Sequence, residues 1–440
     1  MKLIVTKFGG SSLADAEQFA KVGNILKSNK ARKVAVASAP GKRNSGDVKV
    51  TDMLYRCCSD AEEGRSFDES LNLIRERYAE IMQDLSIEFE LDSEINAIRE
   101  HLLAGPDREF MASRGEYLNA KLLARYLDWT FLDAADYVRF NEDGTLDDET
   151  TDELLRGVLS EKEYVVLPGF YGADASGRVH TFSRGGSDIS GSLAARAINA
   201  EVYENWTDVS GMLMTDPRIV DNPGTIDYIS YQELRELSYM GASVLHEDAV
   251  FPVRKAGIPI NIRNTNRPQD KGTMIVAELP KNRRPKIITG IAGSRGFSCI
   301  HVEKPMMNME VGFGARLLKI LADHGISFEH CPTGFDTMSV FVESACIGED
   351  FDDVLDEIRQ ELDPEILIVD DSFAILAIVG HGMAYSKGVS ARIFGALAEA
   401  NVNIRMIDQG SSGLNIIVGV DEEDYEAAVQ ACYRVGKEMN

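Results

Sequence analysis

A lysine and a pair of glycines follow the first apolar run of the sequence. Residues 3–5 (LIV) predict a buried strand, and Lys7, Gly9 and Gly10 stand where this strand gives way to a helix-like stretch. Glycines let backbone N–H groups approach an anion closely and adopt positive φ, and a lysine ammonium suits phosphate oxygens. The patterns GxxxxGK[ST] and GxGxxG are absent from the sequence. The motif therefore indicates either a phosphate site of another kind or an ordinary turn with a solvated lysine.

A second glycine pair lies in residues 181–188 (TFSRGGSD), between a possible strand and an alanine-rich helix. Backbone N–H groups at such a helix start can point at an anion, and the planar guanidinium of Arg184 matches a carboxylate. Asp188 could cap the helix or bind through Mg²⁺. Capping alone would explain Ser187 and Asp188 but not the Arg-Gly-Gly run, so the segment favours a binding role.

Two further clusters carry hydroxyl and carboxylate groups. Residues 206–211 (WTDVSG) and 215–218 (TDPR) place two aspartates and an arginine in a Pro/Gly loop. Such a loop suits a nucleotide with its metal, but a solvated loop would have a similar sequence. Residues 113–116 (SRGE) end in Glu116, which could receive a substrate ammonium, although S-x-x-E before an apolar helix is also a capping box. Both interpretations stay open for each cluster.

The elements that must position these residues alternate between strand and helix up to about residue 280. Such alternation predicts an α/β domain over residues 1–280, with a mainly parallel sheet sandwiched by helices and ligands beyond the carboxyl ends of the strands. A polar, proline-bounded linker follows at 281–285. The main elements predicted are a helical region over 68–127, strands at 165–167 and 202–206, and helices at 189–200 and 231–240.

The remaining residues, 286–440, contain an internal repeat. Residues 312–318 (GFGARLL) match residues 388–394 (GVSARIF) at an ungapped offset of 76. Each unit reads strand, helix, strand, strand, helix, which predicts two small α+β units rather than a solenoid. The first unit, about 298–370, gains a last strand, whereas the second, 371–440, lacks one. We expect a strand over 286–291 to cross over and complete the second unit, which interlocks the two.

Composition limits the classes of partner. The net charge of −25 argues against nucleic acid and anionic membrane surfaces. The 6 cysteines have no CxxC spacing, and the 7 histidines form no HxxxH pair, so reduced thiols are expected and a zinc site is not. The sequence shows no signal-peptide-type segment and no apolar stretch of membrane-spanning length, which predicts a cytoplasmic protein.

Taken together, the motifs resemble the aspartate kinases of the amino-acid kinase superfamily, over essentially the whole chain. The repeated units look like the paired, ferredoxin-like ACT domains of that family, which bind amino acids as allosteric effectors. The order and spacing of five motifs carry the resemblance: residues 7–12, 181–188, 206–218, 241–246 (GASVLH) and 263–265 (RNT).

The resemblance implies that ATP, with Mg²⁺, phosphorylates the side-chain carboxylate of L-aspartate to give 4-phospho-L-aspartate. This reaction opens the biosynthesis of lysine, threonine and methionine. An aspartate carboxylate is already ionised at neutral pH, so the nucleophile needs no general base. The site must instead position two anions and neutralise charge on the transferred group.

The resemblance also assigns roles to individual residues. The catalytic side chains would be Lys7, Arg184 and Asp188. Aspartate would be bound by Ser38, Thr51, Glu116, Phe182, Arg184 and Ser187. ATP would be bound by Lys7, Phe8, Gly9, Gly10, Thr207, Asp208 and Arg218. The allosteric effector would contact Met307, Gly312, Phe313, Ser327, Phe328, Glu329 and Thr333. No side chain is assigned as a metal ligand.

The regulatory expectation is feedback inhibition by lysine, alone or with threonine, with Glu329 pairing the effector ammonium. ACT units in this family pair across subunits, so we expect a homodimer or a dimer of dimers. One motif departs from the family pattern GAKVLHP, because Ser243 replaces its lysine and Glu247 its proline. Arg254 and Lys255 are alternative cations for the nucleotide contact.

Three alternative functions are less consistent with these residues. A kinase acting on glutamate, acetylglutamate or carbamate is disfavoured by the ACT pair and by the Arg184 cluster. A catalytically weak amino-acid sensor has only Ser243 in its favour. A fusion with homoserine dehydrogenase is disfavoured by the length of 440 residues, which leaves no room for a dinucleotide-binding domain.

Overall fold

The computed structural model describes residues 3–183, 185–241, 245, 247–280, 283–348 and 351–440. The chain folds into two compact units. The first contains Met1–Met212, Thr225–Tyr231 and Val244–Leu279, and the second contains Leu213–Gly224, Gln232–Ser243 and Pro280–Asn440. Two segments that precede the predicted linker, 213–224 and 232–243, thus pack with the C-terminal part of the chain. No pattern in the sequence indicated this exchange.

The first unit is organised by an eight-stranded sheet of order β3-β4-β2-β1-β7-β9-β10-β8. All neighbouring strands in it are parallel except β9 and β10, which are antiparallel. A short antiparallel pair, β5 and β6, stands apart from it. The strands are β1 (Ile4–Phe8), β2 (Arg32–Ala37), β3 (Thr130–Phe131), β4 (Val165–Pro168), β5 (Tyr171–Ala173), β6 (Val179–Thr181), β7 (Val202–Thr207), β8 (Tyr228–Ser230), β9 (Ile260–Asn264) and β10 (Thr273–Val276).

Helices flank this sheet, which confirms the predicted α/β class of the first unit. The region predicted as helical over 68–127 is three helices, because α3 ends at the left-handed Ser86 (φ 54°) and α4 ends at Gly105 (φ 158°). The helices up to residue 280 are α1 (Ala16–Lys27), α2 (Val50–Glu62), α3 (Asp68–Leu85), α4 (Leu91–Ala104), α5 (Arg108–Leu127), α6 (Ala134–Tyr137), α7 (Asp148–Glu161), α8 (Gly186–Ala197), α9 (Tyr231–Tyr239) and α10 (Glu247–Lys255). Of these, α9 belongs to the second unit.

The two faces of the central strands have different roles, because successive side chains of a strand point to opposite faces. Phe8 of β1 and Trp206 of β7 are fully buried in a hydrophobic core shared with α1 to α5. Next to them Glu204, also buried, pairs with Arg32 at 2.8 Å and accepts a hydrogen bond from the Trp206 indole. The alternate residues of the same strands, Lys7 and Asn205, point to the face covered by α8.

The second unit contains a five-stranded antiparallel sheet of order β12-β11-β13-β15-β14, the second element of the predicted fold class. Its strands are β11 (Gly290–Glu303), β12 (Thr337–Glu343), β13 (Ile366–Val379), β14 (Ile404–Asp408) and β15 (Asn415–Asp421). Its remaining helices are α11 (Phe313–Asp323), α12 (Phe351–Leu362), α13 (Val389–Glu399) and α14 (Tyr425–Met439).

The two repeats share the two longest strands. Residues 290–295 of β11 pair with 374–379 of β13, in the second repeat, and residues 297–303 pair with 366–373, in the first. The strand predicted over 286–291 therefore begins only at Gly290, and it continues without interruption into the opening strand of the first repeat. A positive-φ glycine, Gly296 (φ 87°), lies where the pairing changes register between the two halves.

In the parts of the chain that the structure describes, no helix is both long enough and apolar enough to cross a membrane.

Candidate active site

The Lys7 side chain lies at the carboxyl end of β1 and is 8% exposed. Its Nζ is 2.6 Å from Oδ1 of Asp188, which lies in the first turn of α8. The N-cap of α8 is Gly185, in the left-handed region (φ 60°), so Asp188 does not cap this helix. The carboxylate instead holds the lysine ammonium where the central strand meets the helix start. That edge of a parallel sheet is the usual place for a ligand.

The two glycines after Lys7 allow two backbone segments to approach each other closely, and neither glycine has a positive φ. Gly9 has φ −69°, and the expectation of positive φ is wrong because the chain enters a short 3₁₀ turn at Gly10 in the ordinary right-handed region. A Cβ on Gly10 would lie 3.0 Å from the carbonyl oxygen of Ala39, and a Cβ on Gly41 would lie 2.6 Å from the Gly10 carbonyl carbon. The N–H of Gly41 donates to the Gly10 carbonyl at 2.9 Å. Two backbones therefore meet directly beside the lysine.

Glu116 lies within α5 and is 6% exposed. The capping-box interpretation is wrong, because α5 starts at Arg108 with Asp107 as its N-cap, and Ser113 donates its hydroxyl to the Phe110 carbonyl inside the helix. The Oε2 atom of Glu116 is buried without a hydrogen-bond partner. Burial raises the pKa of this carboxyl to about 8, against the opposing effects of nearby backbone N–H groups and of the Lys7 charge. A buried carboxyl with a free oxygen is suited to a cationic ligand.

The other predicted aspartate ligands lie on neighbouring elements. The N–H of Ser38 donates to the Phe8 carbonyl at 3.2 Å, directly after β2. Thr51 is in the first turn of α2. Phe182 is buried against Phe140, with ring centroids 5.1 Å apart. Ser187 is in the first turn of α8, so close to Gly169 that a Cβ there would lie 2.7 Å from it.

Two of the predicted ATP ligands lie at the end of β7. Thr207 donates its hydroxyl to Asp208 at 3.1 Å, and its carbonyl accepts the N–H of Thr265 at 2.8 Å. Arg218 is not brought into the first unit: it belongs to segment 213–224, is 88% exposed, and pairs with Asp216 at 2.6 Å.

Several predicted positions fall on residues that the structure does not describe. Arg184 lies outside the described residues, and so does Ser243, the site of the departure from the family pattern. Lys255 borders a cleft with Arg196 and Asp152, near the C-terminal end of α8. Because α8 rises by about 1.5 Å per residue, that end is about 12 Å from Asp188.

The predicted effector residues lie in the first repeat of the second unit, before, within and after α11. Met307 and Phe313 are buried in the hydrophobic core of the first repeat, so their side chains are already occupied by packing. Gly312 is the left-handed N-cap of α11 (φ 84°). Ser327, Phe328 and Thr333 are exposed, and the Glu329 carboxylate accepts a hydrogen bond from the Tyr239 hydroxyl at the end of α9.

Two buried amides at the site carry no motif and were missed by sequence reasoning. Asn205 donates to Oδ1 of Asp188 at 2.8 Å, and Asn119, one turn after Glu116, donates to the Ser38 carbonyl at 2.7 Å. The available signal was an asparagine inside each apolar run, because asparagine is disfavoured in strands and in helix interiors.

Residues that could hold a metal are few. Among the described residues, no group of three or more His, Cys, Asp or Glu side chains is arranged around a common point. Mg²⁺ in phosphotransfer sites is usually held by one or two carboxylates together with substrate phosphates. The exposed carboxylate of Asp208, beside the end of β7, could serve as such a single carboxylate ligand.

Comparison with known proteins agrees with this geometry. Residues 2–264 match the amino acid kinase family, and residues 376–435 match the ACT domain. Aspartokinase 3 of Bacillus subtilis is 39% identical over 98% of both chains. The crystal structure of Clostridium acetobutylicum aspartate kinase superimposes with a TM-score of 0.91, at 46% identity and 100% coverage of both chains. E. coli aspartokinase III, solved with aspartate and ADP, has a TM-score of 0.73 at 26% identity and 99% coverage of both chains.

The chain therefore belongs to the amino acid kinase family. The family match covers the unit that holds Lys7, Asp188 and Glu116, and the ACT match lies in the unit with the repeat. Within the family it is an aspartate kinase under allosteric regulation, because relatives similar to it from end to end are aspartate kinases.

The burial of Glu116 predicts a specific dependence of stability on pH. Its pKa is about 8 in the folded chain and near the ordinary value of 4.5 in the unfolded chain. Between these values the folded state retains a proton that the unfolded state has released, so the free energy of unfolding falls as the pH rises from 4.5 to 8. In Glu116→Gln this contribution is absent. We expect the variant to be more stable than the unaltered chain at pH 8, with a difference that shrinks towards pH 5.

Urea unfolding followed by tryptophan fluorescence measures this effect in the first unit, because both tryptophans, Trp129 and Trp206, belong to it. Glu100→Gln, which changes an exposed glutamate of α4, is the matched control and should leave the pH dependence unaltered. Parallel pH profiles for Glu116→Gln and the unaltered chain would contradict the assigned burial cost.

Proposed function

We propose that this chain transfers the γ-phosphoryl group of ATP to the side-chain carboxylate of L-aspartate at the junction between Lys7 and Asp188, and that lysine inhibits this transfer. The observation that supports the catalytic part most directly is the buried Lys7 ammonium, held 2.6 Å from Asp188 at the carboxyl end of the central strand. The product, 4-phospho-L-aspartate, would enter the biosynthesis of lysine, threonine and methionine.

The reaction requires one bond to form and one to break. A carboxylate oxygen of aspartate forms a bond to the γ-phosphorus, and the bond from that phosphorus to the bridging oxygen of ADP breaks. The attacking carboxylate carries no proton at neutral pH, so no protein base has to accept one. The demand on the site is electrostatic, since negative charge on the transferred group must be neutralised by fixed donors. Lys7 supplies that charge, and Asp188 fixes its position.

Aspartate is bound through its two remaining charged groups. Glu116 receives the ammonium, and ion pairing there favours the carboxylate form, so the proton that Glu116 holds at neutral pH is released on binding. Arg184 is assigned to the α-carboxylate by its planar, bidentate geometry. Four residues complete the substrate pocket: Ser38, Thr51, Phe182 and Ser187.

ATP is bound across the ends of β1 and β7. The backbone of residues 8–10 approaches the phosphates, and Thr207 and Asp208 lie at the end of the adjacent strand. Mg²⁺, when bound, neutralises charge on the β- and γ-phosphates, and we assign its protein contact to Asp208. Arg218 is proposed as a further nucleotide ligand, which requires it to exchange its ion pair with Asp216 for ATP.

Replacing Lys7 tests the catalytic assignment. We expect Lys7→Ala to lower kcat by on the order of 10²-fold or more, because an electrostatic contact to the transferred group is lost. The measurement is ATP-dependent formation of aspartyl hydroxamate, with glutamate, acetylglutamate and carbamate as competing substrates. The unaltered chain should turn over aspartate in preference to the other three.

Lys33→Ala is the matched control, because Lys33 lies on the adjacent strand β2 and pairs only loosely with Glu163 at 3.8 Å. Its kcat should stay within about twofold of the unaltered chain, as expected for a loose ion pair with one exposed partner. Near-normal turnover in Lys7→Ala would exclude the assigned role.

The regulatory part of the proposal rests on contacts within the second unit. Helix α9 is joined to the strands and loops of the repeats by the carboxylates of Glu233 and Glu236: the Thr289 hydroxyl donates to Glu233 at 2.6 Å, and the Asn415 amide donates to Glu236 at 2.6 Å. Its last residue, Tyr239, donates to Glu329. An effector ammonium on Glu329 would compete with this hydroxyl, so effector binding would change the contacts at the end of α9.

Lysine is the effector we favour. The relative E. coli aspartokinase III has been solved with lysine and aspartate bound, and a carboxylate at position 329 suits the second ammonium group of lysine.

We expect Glu329→Ala to raise the lysine concentration for half-inhibition by at least tenfold, and Tyr239→Phe to lower it, because the competing hydroxyl is removed. The measurement is hydroxamate formation over a lysine titration, repeated with threonine and methionine.

Glu365→Ala, which removes an exposed carboxylate from the same repeat, is the control and should leave lysine inhibition unchanged. Inhibition of Glu329→Ala at the lysine concentration that inhibits the unaltered chain would show that the effector site is misplaced.

We also propose that the chain forms a homodimer, or a dimer of dimers, through its ACT units. Support comes from apolar side chains left exposed around the start of α11: Met306 is 67% exposed, Met309 70%, Val311 100% and Phe335 79%. Such a cluster is typical of an interaction surface.

Sedimentation equilibrium should give twice or four times the chain mass. Val311→Asp should shift the distribution towards monomer, because it places a charge in this apolar cluster. A monomeric unaltered chain would contradict the proposal.

A further inference from the structure

Asn205 is an amide placed where a strand would ordinarily carry an apolar side chain. It is 3% exposed, in the middle of β7, with β1 on one side and β9 on the other. Asparagine is disfavoured in such a strand, and a buried amide destabilises the fold unless its hydrogen bonds are made. The side chain therefore needs a partner, and its partner is Asp188.

Asn205 and Lys7 approach Asp188 as a pair. The two residues are directly opposite each other in the parallel pairing of β1 and β7, so their side chains leave the sheet side by side on the face covered by α8. Asn205 Nδ2 is 2.8 Å and Lys7 Nζ is 2.6 Å from the same atom, Oδ1 of Asp188. One carboxylate oxygen thus accepts a neutral donor and a charged donor at once.

A further contact fixes the helix end that carries Asp188. The hydroxyl of Tyr203, two residues before Asn205 on the same face of β7, donates to the backbone carbonyl of Asp188 at 3.2 Å. Gly191 of α8 leaves room for that ring, because a Cβ there would lie 2.5 Å from the Tyr203 hydroxyl oxygen. With the backbone of Asp188 held by Tyr203, the amide of Asn205 determines the orientation of its side chain.

We infer that Asn205 is a positioning residue for phosphoryl transfer, which acts on Lys7 through Asp188. This inference rests on the proposed role of Lys7. The amide occupies part of the hydrogen-bond-accepting capacity of Oδ1. It also prevents the carboxylate from rotating freely about the side-chain bonds of Asp188. The Lys7 ammonium is then held in a fixed position beside Gly9, because the carboxylate that pairs with it does not move. A Cβ on Gly9 would lie 3.7 Å from the Lys7 Nζ. Asn205 itself is not assigned a contact with either substrate.

The test is a double-mutant cycle between Asn205 and Lys7. Asn205→Leu has nearly the same volume but cannot donate, and we expect it to lower kcat by about tenfold, the rate equivalent of about 1.4 kcal/mol. The Michaelis constants for aspartate and ATP should stay within about twofold, because the residue touches neither. In the Lys7→Ala background the same substitution should have no further effect on kcat, because the group it positions is missing.

Thr6→Val is the matched structural control. Thr6 is also fully buried, adjacent to Lys7 but on the opposite face of β1, where its hydroxyl donates to the Val34 carbonyl at 2.9 Å. This variant loses one buried hydrogen bond, as Asn205→Leu does, so its thermal midpoint should fall while kcat stays within about twofold. Thermal midpoints of all variants, measured by tryptophan fluorescence, define an assay temperature at which each is folded.

The outcomes separate the inference from the proposed function. If the unaltered chain does not phosphorylate aspartate, or if Lys7→Ala is fully active, the proposed function fails. If both behave as proposed but Asn205→Leu leaves kcat unchanged, or lowers it equally in the two backgrounds, Asn205 has only a structural role and the inference is overturned. A loss of kcat that appears only when Lys7 is present supports it.

Discussion

The ion pair between Lys7 and Asp188 joins two elements, β1 and α8, that are far apart in sequence. Its geometry depends on the register of β1 against β7, which places Lys7 beside Asn205, and on the left-handed Gly185 that starts α8 at the right point. A shift of one residue in β1 would turn Lys7 towards the hydrophobic core and Phe8 towards the helix. The opposite face holds the buried Glu204–Arg32 pair of the two neighbouring strands, so a slipped β1 would bring the Lys7 charge next to that pair. Core packing and site geometry are therefore specified by the same alternation of side chains.

Burial at this site has both a benefit and a cost. A charge acts most strongly where water is excluded, so Lys7 is more effective in a buried position than on the surface. The same exclusion of water raises the pKa of Glu116 to about 8 and leaves its Oε2 atom without a partner. The free protein therefore carries a destabilising group that a cationic ligand would satisfy. A site that is unfavourable until it is filled favours the ligand whose charge completes it.

In the first unit, the geometry of the site depends on strand register. In the second unit, the two repeats are joined by the strands that they share. Because β11 and β13 each serve both repeats, a displacement at the start of α11 has a continuous path through the sheet to the second repeat. Helix α9 comes from the kinase part of the sequence but packs with the repeats, and the motif 241–247, in which Ser243 replaces the family lysine, follows it directly. The motif is thus continuous in sequence with the helix that contacts the repeats.

Sequence patterns identified much of this protein without coordinates. The order of glycine-rich motifs at strand ends indicated the kinase family, and the repeat at a fixed offset predicted two small α+β units and a crossing strand. These features could be read because they depend on local chemistry and periodicity. The errors occurred where a local pattern had two meanings: Ser113 and Glu116 matched a capping box although α5 begins at Arg108, and Gly9 suggested positive φ although only close approach was needed.

By itself, then, the sequence indicated the α/β and α+β classes of the two regions, which residues carry charge, and which family they belong to, because these follow from propensity, periodicity and motif order. Only the tertiary structure decided that Asn205 meets Asp188, that Glu116 is buried beside Lys7, and that α9 packs with the repeats. Those contacts join residues from separate elements, and their partners are fixed by strand register and helix placement, which no local pattern encodes.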